Sequence, residues 1–198
     1  REYMVPVTIP AKRRAPLVVD ADAGVHASPR DGLAALATVQ PEGLVTYGSQ
    51  THPAVGAAGA VLMSRERALA LAGDAGVVEI LATGFGRAEK ARMPKAPVLA
   101  AQAALADAGI TLDDVHLVCT HNPFAVNDLW FHRQTGFALE RMNPYGCSLV
   151  YGHPQAPTGM RAIAELVHAL RRRGGGVGLF TGCAAGDTGA AVVLRVAG

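Results

Sequence analysis

The sequence predicts an α/β protein in which helices and strands form layers. Three observations carry this prediction. From Val77 onward, short apolar runs typical of strands alternate with longer stretches typical of helices. These elements follow one another as strand, helix, strand, helix, helix, strand, strand, an order typical of layered α/β domains. Half of the residues (50%) are hydrophobic, which excludes a disordered chain. The length of 198 residues fits one ordinary domain or half of a larger one.

The first 74 residues lack this regular pattern. The apolar pieces Met4–Ile9 and Val18-Val19 lie between Asp-, Gly- and Pro-rich connections without a sustained period, so we expect residues 1–44 not to bury themselves. The small residues at the start of Gly56–Ser64 lead into what we expect to be a buried apolar run. Residues Arg65–Ala72 predict a short helix.

The regular part begins at Val77. Proline in the first turn and Gly109 at the end predict its first helix. In its last helix, apolar residues at i, i+3, i+4 and i+7 form one stripe for a sheet to cover. The predicted elements are the strand Val77–Ala82, the helix Pro97–Ala108, the strand Val115–Cys119, a polar turn at Thr120–Pro123, the helix Ala125–Gln134, a Gly/Pro-rich crossing over Asn143–Thr158, a helix ending at Arg173, and the strands Val177–Thr181 and Ala190–Val196. We expect the two closing strands to be antiparallel neighbours.

Composition and charge limit the partners. The 18 Lys and Arg against 16 Asp and Glu give a net charge of +2 without a large basic patch, so no nucleic-acid partner is predicted. The run Arg171–Arg173 fits a helix end, where cations favour the helix dipole. The longest uncharged stretches contain Pro, Gly and polar residues, so no membrane span is predicted. Only 17% of the residues are charged, which predicts that much of the surface lies against other polypeptide.

The cysteines and the first residues indicate a compartment. Cys119, Cys147 and Cys183 form no C-x-x-C pair, and their odd number leaves at least one thiol free. The sequence starts at Arg1 without a basic-then-apolar leader, so we expect a secretory signal to be absent or already removed. Both observations predict a cytoplasmic protein.

Reactive side chains occur in three short segments on turns, where sites collect in open α/β sheets. They are Thr120–Ala125 with His121, the Gly-His-Pro turn with His153, and Gly182–Gly186 with Cys183. The backbone of His153 is fixed by its neighbours, so its imidazole can move protons or donate to an oxyanion. The thiol of Cys183 lies among small residues that admit a substrate, and could carry a proton or act as a nucleophile.

Each of these residues also has a structural interpretation. A Gly-His-Pro turn around His153 can have a purely structural role, in which it sets the direction of the backbone. Cys183 can be an inert buried apolar side chain. His121 can be a polar cap on a neighbouring helix. Taken one at a time, the three residues leave these alternatives open.

Taken together, the segments resemble the thiolase family. Residues 143–196, NPYGCSLVYGHPQAPTGMRAIAELVHALRRRGGGVGLFTGCAAGDTGAAVVLRV, are similar to the C-terminal end of a thiolase, with the Gly-His-Pro turn, the long helix and the Cys-containing turn in order and spacing. HNPFA at His121–Ala125 stands where the family has Asn-Glu-Ala-Phe-Ala. Val45–Ser64 resembles the stretch that leads from the family's loop domain back into its first sheet.

The resemblance implies a fold of two similar βαβαβαββ halves, of which this chain is similar only to the second. It implies a five-stranded mixed sheet between helices. It divides the chain into the end of a loop domain (1–44), a closing segment of the first half (45–74) and a C-terminal domain (75–198). A strand such as Ala60–Ser64 then needs a sheet made by residues outside this chain, because an unpaired buried backbone is costly.

The resemblance also implies an acyltransferase that cleaves or forms 3-oxoacyl-CoA, with coenzyme A or acyl-CoA as substrate and no metal or permanent cofactor. The family's acyl-accepting cysteine lies in the first half, and neither Cys119 nor Cys147 matches it. By resemblance, His153 activates that nucleophile and donates to the thioester oxygen, and Cys183 moves the α-proton. His121 replaces the family's asparagine, as in sterol-carrier-type thiolases, and would donate beside His153.

Four further residues are implied in substrate binding. Phe124 would line the pantetheine channel, or belong to the core. Thr51 takes the place of a serine that contacts coenzyme A, or is a simple turn residue. Ala185 replaces a glycine whose N–H lines an oxyanion hole, so its methyl group narrows the pocket or the hole uses Gly186. These differences imply a divergent member of the family.

The implied partner is an N-terminal thiolase portion, within a homo- or hetero-oligomer. Two other functions stay open on the sequence. A thiolase-like scaffold without turnover would bind acyl-CoA or an OB-fold acyl-CoA-binding partner. A ketosynthase-type condensing enzyme would also use histidine at position 121, but such enzymes usually have asparagine in place of His153 and lack the second cysteine.

Overall fold

The computed structural model describes residues 3–73 and 76–198. Its strands are β1 (Val7–Ile9), β2 (Leu17–Val19), β3 (Val78–Arg87), β4 (Leu117–His121), β5 (Gly176–Ala184) and β6 (Thr188–Val196). The main sheet has the order β3, β6, β5, β4, and β1 and β2 form a separate antiparallel pair. Strand β6 is antiparallel to both of its neighbours, whereas β4 and β5 are parallel.

Helices cover both faces of the main sheet. The α-helices of the described residues are α1 (Arg30–Ala34), α2 (Arg65–Ala72), α3 (Ala96–Ala108), α4 (Ala125–Thr135), α5 (Ser148–Tyr151) and α6 (Thr158–Arg172). Helix α3 packs on β3, β6 and β5, and α6 packs on β5 and β4. As predicted, α3 has Pro97 in its first turn and is followed by Gly109 in the left-handed conformation. None of the helices that the structure describes is long and apolar enough to span a bilayer.

Each face of the sheet has its own apolar core, because successive strand residues point to opposite faces. Val118 belongs to the core formed with α3 and α4, whereas the next residue, Cys119, belongs to the core formed with α6. The predicted stripe of α6 contributes Leu166 and Leu170, which are both fully buried. The layered α/β class is confirmed.

Glycine residues let α3 lie close to the sheet. A Cβ atom on Gly84 would lie 2.2 Å from the carbonyl oxygen of Ala100, and one on Gly189 would lie 2.5 Å from that of Ala96. Both distances are far below contact distance, so only glycine fits these two strand positions. The helix contributes alanine at the same contacts, which explains its small-residue sequence.

The sheet has four strands among the described residues, so the expectation of five is corrected. The outer side of β4 carries, among the described residues, an isolated parallel bridge between Val118 and Met142. Asn143 follows with a positive φ of 48°, and Pro144 comes next. These two residues end the extended backbone after one bridge, so no fifth strand forms.

Several element boundaries differ from the prediction. Strand β3 continues past Ala82 to Arg87, and β4 spans Leu117–His121 instead of Val115–Cys119. Thr120 and His121 therefore belong to a strand and not to a polar turn. A polar Thr120 is tolerated there because its N–H donates to Asn143 and its hydroxyl to Asp128.

Two further corrections concern the part of the chain after α4. Helix α5 interrupts the crossing that was expected to be irregular. Strand β5 continues to Ala184, so Cys183 lies at the end of a strand and not in the turn. The antiparallel pairing of the two closing strands is confirmed.

The apolar run Gly56–Ser64 has no regular structure, and the strand considered for Ala60–Ser64 is not formed. Val61 is 82% and Leu62 76% exposed, so the expectation of a buried run is wrong for this chain by itself. No strand of the described residues pairs with it. The helix predicted after it is confirmed as α2.

Candidate active site

The carboxyl ends of the parallel strands β4 and β5 meet at one edge of the sheet. His121, the last residue of β4, lies opposite Gly182 of β5, so Cys183 directly follows the partner of His121. A Cβ atom on Gly182 would lie 2.9 Å from that of His121, so a glycine is needed for this approach. The ring of His153 stacks on the ring of His121, with centroids 4.2 Å apart and an angle of 25° between the planes. The structure thus gathers all three predicted catalytic residues at this edge.

Each histidine has a hydroxyl partner at Nδ1. Nδ1 of His121 lies 3.0 Å from Oγ of Ser148, the first residue of α5. Nδ1 of His153 lies 2.8 Å from Oγ1 of Thr158, the first residue of α6. In both rings Nε2 is left as the nitrogen available to a ligand.

A short segment around Thr51 connects the two histidine-bearing parts of the site. The Thr51 N–H donates to the carbonyl of Pro123, and its hydroxyl donates to the carbonyl of Ser148 at 2.6 Å. Two residues later Pro53 forms a bridge with His153, whose N–H donates to the carbonyl of His52 at 2.8 Å. The segment holds the backbone of His153 against the loop that follows His121.

Cys183 is buried, with 8% of its surface exposed. Its sulfur accepts a hydrogen bond of 3.4 Å from Nδ2 of Asn127, a buried residue in the first turn of α4. Burial raises the pKa of the thiol to about 11, although the Asn127 hydrogen bond opposes the rise. At neutral pH the thiol is therefore protonated and can donate a proton to a strong base such as an enolate.

Both rings favour the neutral state. Burial, with a smaller contribution from the neighbouring His153, lowers the pKa of His121 to about 4. Burial also lowers the pKa of the half-buried His153. At neutral pH the pair therefore consists of two uncharged imidazoles, each with one N–H donor and one acceptor nitrogen.

A polar network supports the loop that follows β4. The carboxylate of Asp128 accepts hydrogen bonds from the hydroxyl of Thr120 and from the side-chain amides of Asn122 and Asn143. Burial raises the pKa of Asp128, against the effect of these three hydrogen bonds. The network fixes the backbone immediately before α4, and so fixes Asn127 beside the sulfur of Cys183.

The predicted substrate-binding residues lie around this edge. Phe124 is half-buried, precedes α4 and forms a bridge with Gln50. Ala185 and Gly186 are exposed in the turn between β5 and β6, where Gly186 has a positive φ of 82°. The carbonyl of Gly186 accepts a hydrogen bond from Arg87. Their roles in binding stay predictions.

Burial makes the other two cysteines poor nucleophiles. Cys119 is buried in the core under α6, and burial raises the pKa of its thiol. Burial also raises the pKa of Cys147. Among the residues that the structure describes, no group of three or more His, Cys, Asp or Glu could hold a metal ion.

Sequence reasoning missed three residues that contact the predicted ones, namely Ser148, Thr158 and Asn127. Ser148 and Thr158 lie five positions before and after His153, a symmetry visible in the sequence but without meaning until the helices are known. Asn127 stands at the start of a predicted helix, where its partner on a distant strand cannot be inferred. All three are buried polar residues, and such residues need partners.

The sequence of this chain is similar to those of several known proteins. A family model described as thiolase, C-terminal domain, matches residues 75–196. An acetyl-CoA acetyltransferase of Chromobacterium violaceum is 34% identical over 197 residues, which are 98% of this chain and 50% of that protein. A 3-ketoacyl-CoA thiolase of Erwinia tasmaniensis is 39% identical over 172 residues, or 78% of this chain and 39% of that protein.

Solved structures agree with these relatives. The crystal structure of the Bacillus anthracis acetyl-CoA acetyltransferase superposes with a TM-score of 0.87 at 25% identity, covering 98% of this chain and 49% of that one. Human mitochondrial 3-ketoacyl-CoA thiolase gives a TM-score of 0.83 at 25% identity, covering 96% and 48%. The chain spans about half the length of the relatives it matches end to end.

Proposed function

Because this chain belongs to the thiolase family, we propose that it acts as the C-terminal portion of an acyltransferase that cleaves or forms 3-oxoacyl-CoA by Claisen chemistry. The observation that carries the proposal is the stacked pair of His121 and His153 at the sheet edge where Cys183 lies near the end of β5. The nucleophilic cysteine comes from an N-terminal portion, since by resemblance neither Cys119 nor Cys147 matches the family's acyl-accepting cysteine, and burial raises the pKa of both thiols.

Cleavage can be written with the protons followed through. His153 accepts the proton of the nucleophilic cysteine, and the resulting thiolate attacks the 3-oxo carbon. When the bond between C2 and C3 breaks, its electron pair stays on C2. The fragment that carries coenzyme A then leaves as an enolate. Cys183 gives its thiol proton to C2 of that enolate. Coenzyme A then attacks the enzyme thioester and takes the acyl group, and its thiol proton restores Cys183. The displaced nucleophilic cysteine leaves as a thiolate and takes back the proton that His153 holds.

The electrostatics of the site support these roles. A neutral Nε2–H on His121 or His153 can donate to the thioester oxygen, where negative charge develops in the enolate. The raised pKa of Cys183 keeps a proton on its sulfur until a base as strong as the enolate appears. Condensation follows the same path in reverse, with Cys183 as the base.

Binding of acyl-CoA is assigned to the residues around the edge. Phe124 lines the pantetheine channel and Thr51 contacts coenzyme A. An oxyanion hole uses the N–H of Ala185 or of Gly186. The exposure of the two turn residues and the half-burial of Phe124 support access for a ligand from this side.

The domain division and the partners belong to the same proposal. Residues 75–198 are the C-terminal domain, 45–74 close the first half, and 1–44 end the loop domain; the family match over 75–196 supports the first boundary. The N-terminal portion covers the exposed apolar residues of the middle segment, and the assembly is a cytoplasmic oligomer. This chemistry needs no bound cofactor.

The proposal is tested on the chain purified from its native cells together with the polypeptides bound to it. Intact-mass spectrometry of the tagged protein and of all that co-purifies identifies the polypeptide carrying the N-terminal portion. Thiolysis of acetoacetyl-CoA by this assembly should fall about 10³-fold for Cys183→Ala, because a positioned proton donor contributes on this order. Cys147→Ala is the matched control and should keep the wild-type rate.

Two results would count against the proposal. Thiolysis by these 198 residues with no other polypeptide would exclude the missing nucleophile. A wild-type assembly without thiolysis, in which Cys183→Ala leaves partner binding intact, would favour the scaffold function. Loss of α-proton exchange from acetyl-CoA into D₂O in the same variant would tie Cys183 to the enolate step.

A further inference from the structure

We propose that Ser148 is a positioning residue for His121, whose hydroxyl donates to Nδ1 and keeps the proton of the neutral ring on Nε2. The ring then offers an N–H donor on the nitrogen that a ligand can reach. The catalytic consequence rests on the function proposed above, whereas the tautomer itself does not.

The first step is the direction of the hydrogen bond. Ser148 is 1% exposed, and Nδ1 of His121 at 3.0 Å is the hydrogen-bond partner that the described residues offer its hydroxyl. A hydroxyl has one proton to donate, and a buried donor without an acceptor is costly. The serine proton therefore points to Nδ1, which must then be the unprotonated nitrogen of the ring.

The second step is that the ring stays uncharged. His121 is 8% exposed and lies against the ring of His153. With a pKa near 4 it holds a single proton at neutral pH. The choice between Nδ1 and Nε2 then decides whether the nitrogen facing a ligand donates or accepts a hydrogen bond.

The third step is the fixed position of Ser148 itself. Its carbonyl accepts the hydroxyl of Thr51 at 2.6 Å and the N–H of Gly152 at 2.9 Å. The backbone that carries the serine hydroxyl is thus held from two separate segments. One of them, around Thr51, is the segment assigned above to coenzyme A.

The tautomer can be read by two-bond ¹H–¹⁵N correlation spectra of this chain with ¹⁵N-labelled histidine, in which His121→Asn identifies the His121 signals among seven histidines. We expect the wild type to show the Nε2–H form. Ser148→Ala should convert His121 to the Nδ1–H form or a mixture, and Ser148→Thr should restore Nε2–H. Thr181→Val removes another buried hydroxyl, whose hydrogen bonds in the described part of the chain go to main-chain carbonyls, and should leave the tautomer unchanged.

An Nδ1–H tautomer in the wild type, or the same tautomer in wild type and Ser148→Ala, would overturn the proposal. The wild-type spectrum decides even if a variant fails to fold. In the active assembly, Ser148→Ala should lower kcat about 10-fold at similar KM, with recovery in Ser148→Thr, because a misoriented donor loses part of its oxyanion stabilisation. A wild-type assembly without thiolysis would refute the proposed function while leaving the tautomer result intact.

Discussion

At Cys183 two opposing effects set the chemistry of the sulfur. Burial disfavours the thiolate, and the hydrogen bond from Nδ2 of Asn127 favours it. Oδ1 of the same asparagine accepts the N–H of Phe124, so the amide cannot turn over without losing that bond. The orientation of the donor toward sulfur is therefore fixed by the start of α4.

This arrangement predicts the effect of removing the donor. Asn127→Ala should raise the midpoint of the pH dependence of Cys183 alkylation by about one pH unit, since one hydrogen bond to an ionised group is lost. Asn127→Asp should raise it further, because a carboxylate oxygen replaces the donor while the bond from Phe124 can persist. Iodoacetamide labelling followed by peptide mass spectrometry measures each cysteine separately. Cys147 is the internal control, and a Cys183 midpoint equal to wild type in both variants would contradict the prediction.

The lowered pKa of His121 predicts a pH dependence of stability. The folded ring titrates near 4 and the unfolded ring near 6.5, so between these values the unfolded state binds more protons. Stability should thus fall as the pH drops from about 6.5 to 4, by roughly 3 kcal/mol for this group. Urea unfolding of wild type and His121→Asn across this range measures the difference. Parallel curves for the two proteins would show that His121 does not contribute.

At the scale of elements, the closest packing in the fold lies between α3 and the sheet. Gly84→Ala would bring a methyl group onto the backbone of α3 and should cost about 1–3 kcal/mol of the free energy of unfolding. Gly59→Ala is the matched control, because nothing lies within 4 Å of its added Cβ; its effect should stay within about 0.5 kcal/mol. Urea unfolding distinguishes the two, and equal stability of both variants would argue against the close contact.

Elements with local signals were predictable. The proline and glycine around α3 and the apolar stripe of α6 depend only on neighbouring residues, and both helices form as expected. The end of β4 was missed because Thr120 is polar, and its burial depends on Asn143, which is 23 residues away. The fifth strand failed for a local reason, since Asn143 takes a positive φ.

The candidate site was predictable to a similar degree. Motif order and resemblance identified His121, His153 and Cys183, which the structure brings to one edge of the sheet. Their partners Ser148 and Asn127 were not predicted, because a buried hydroxyl or amide becomes meaningful only when its distant partner is known.

For the whole molecule, low charge and exposed apolar surface support the proposed assembly with an N-terminal portion. Only 17% of the residues are charged, and the irregular run around Val61 and Leu62 leaves large apolar side chains in solvent. Isolated exposed apolar residues are common, but a run of them is typical of an interface. The run also lies within the segment assigned to the first half of the fold.

This predicts which substitutions weaken assembly. Val61→Asp combined with Leu62→Asp should weaken binding of the N-terminal portion more than about 10-fold, because burying two charges in an interface without partners is costly. The unfolding free energy of the chain alone should change little, since both side chains are already exposed. Pull-down titration with the co-purifying polypeptide measures the affinity.

The matched control for this experiment is Phe85→Asp. Phe85 is also large, apolar and exposed, but it lies on the edge strand β3 of the C-terminal domain. If exposed apolar surface in general drove assembly, this variant would weaken binding as much as the double variant. If the interface is the run around Val61 and Leu62, Phe85→Asp keeps the wild-type affinity. Equal losses in both would therefore place the N-terminal portion elsewhere on the molecule.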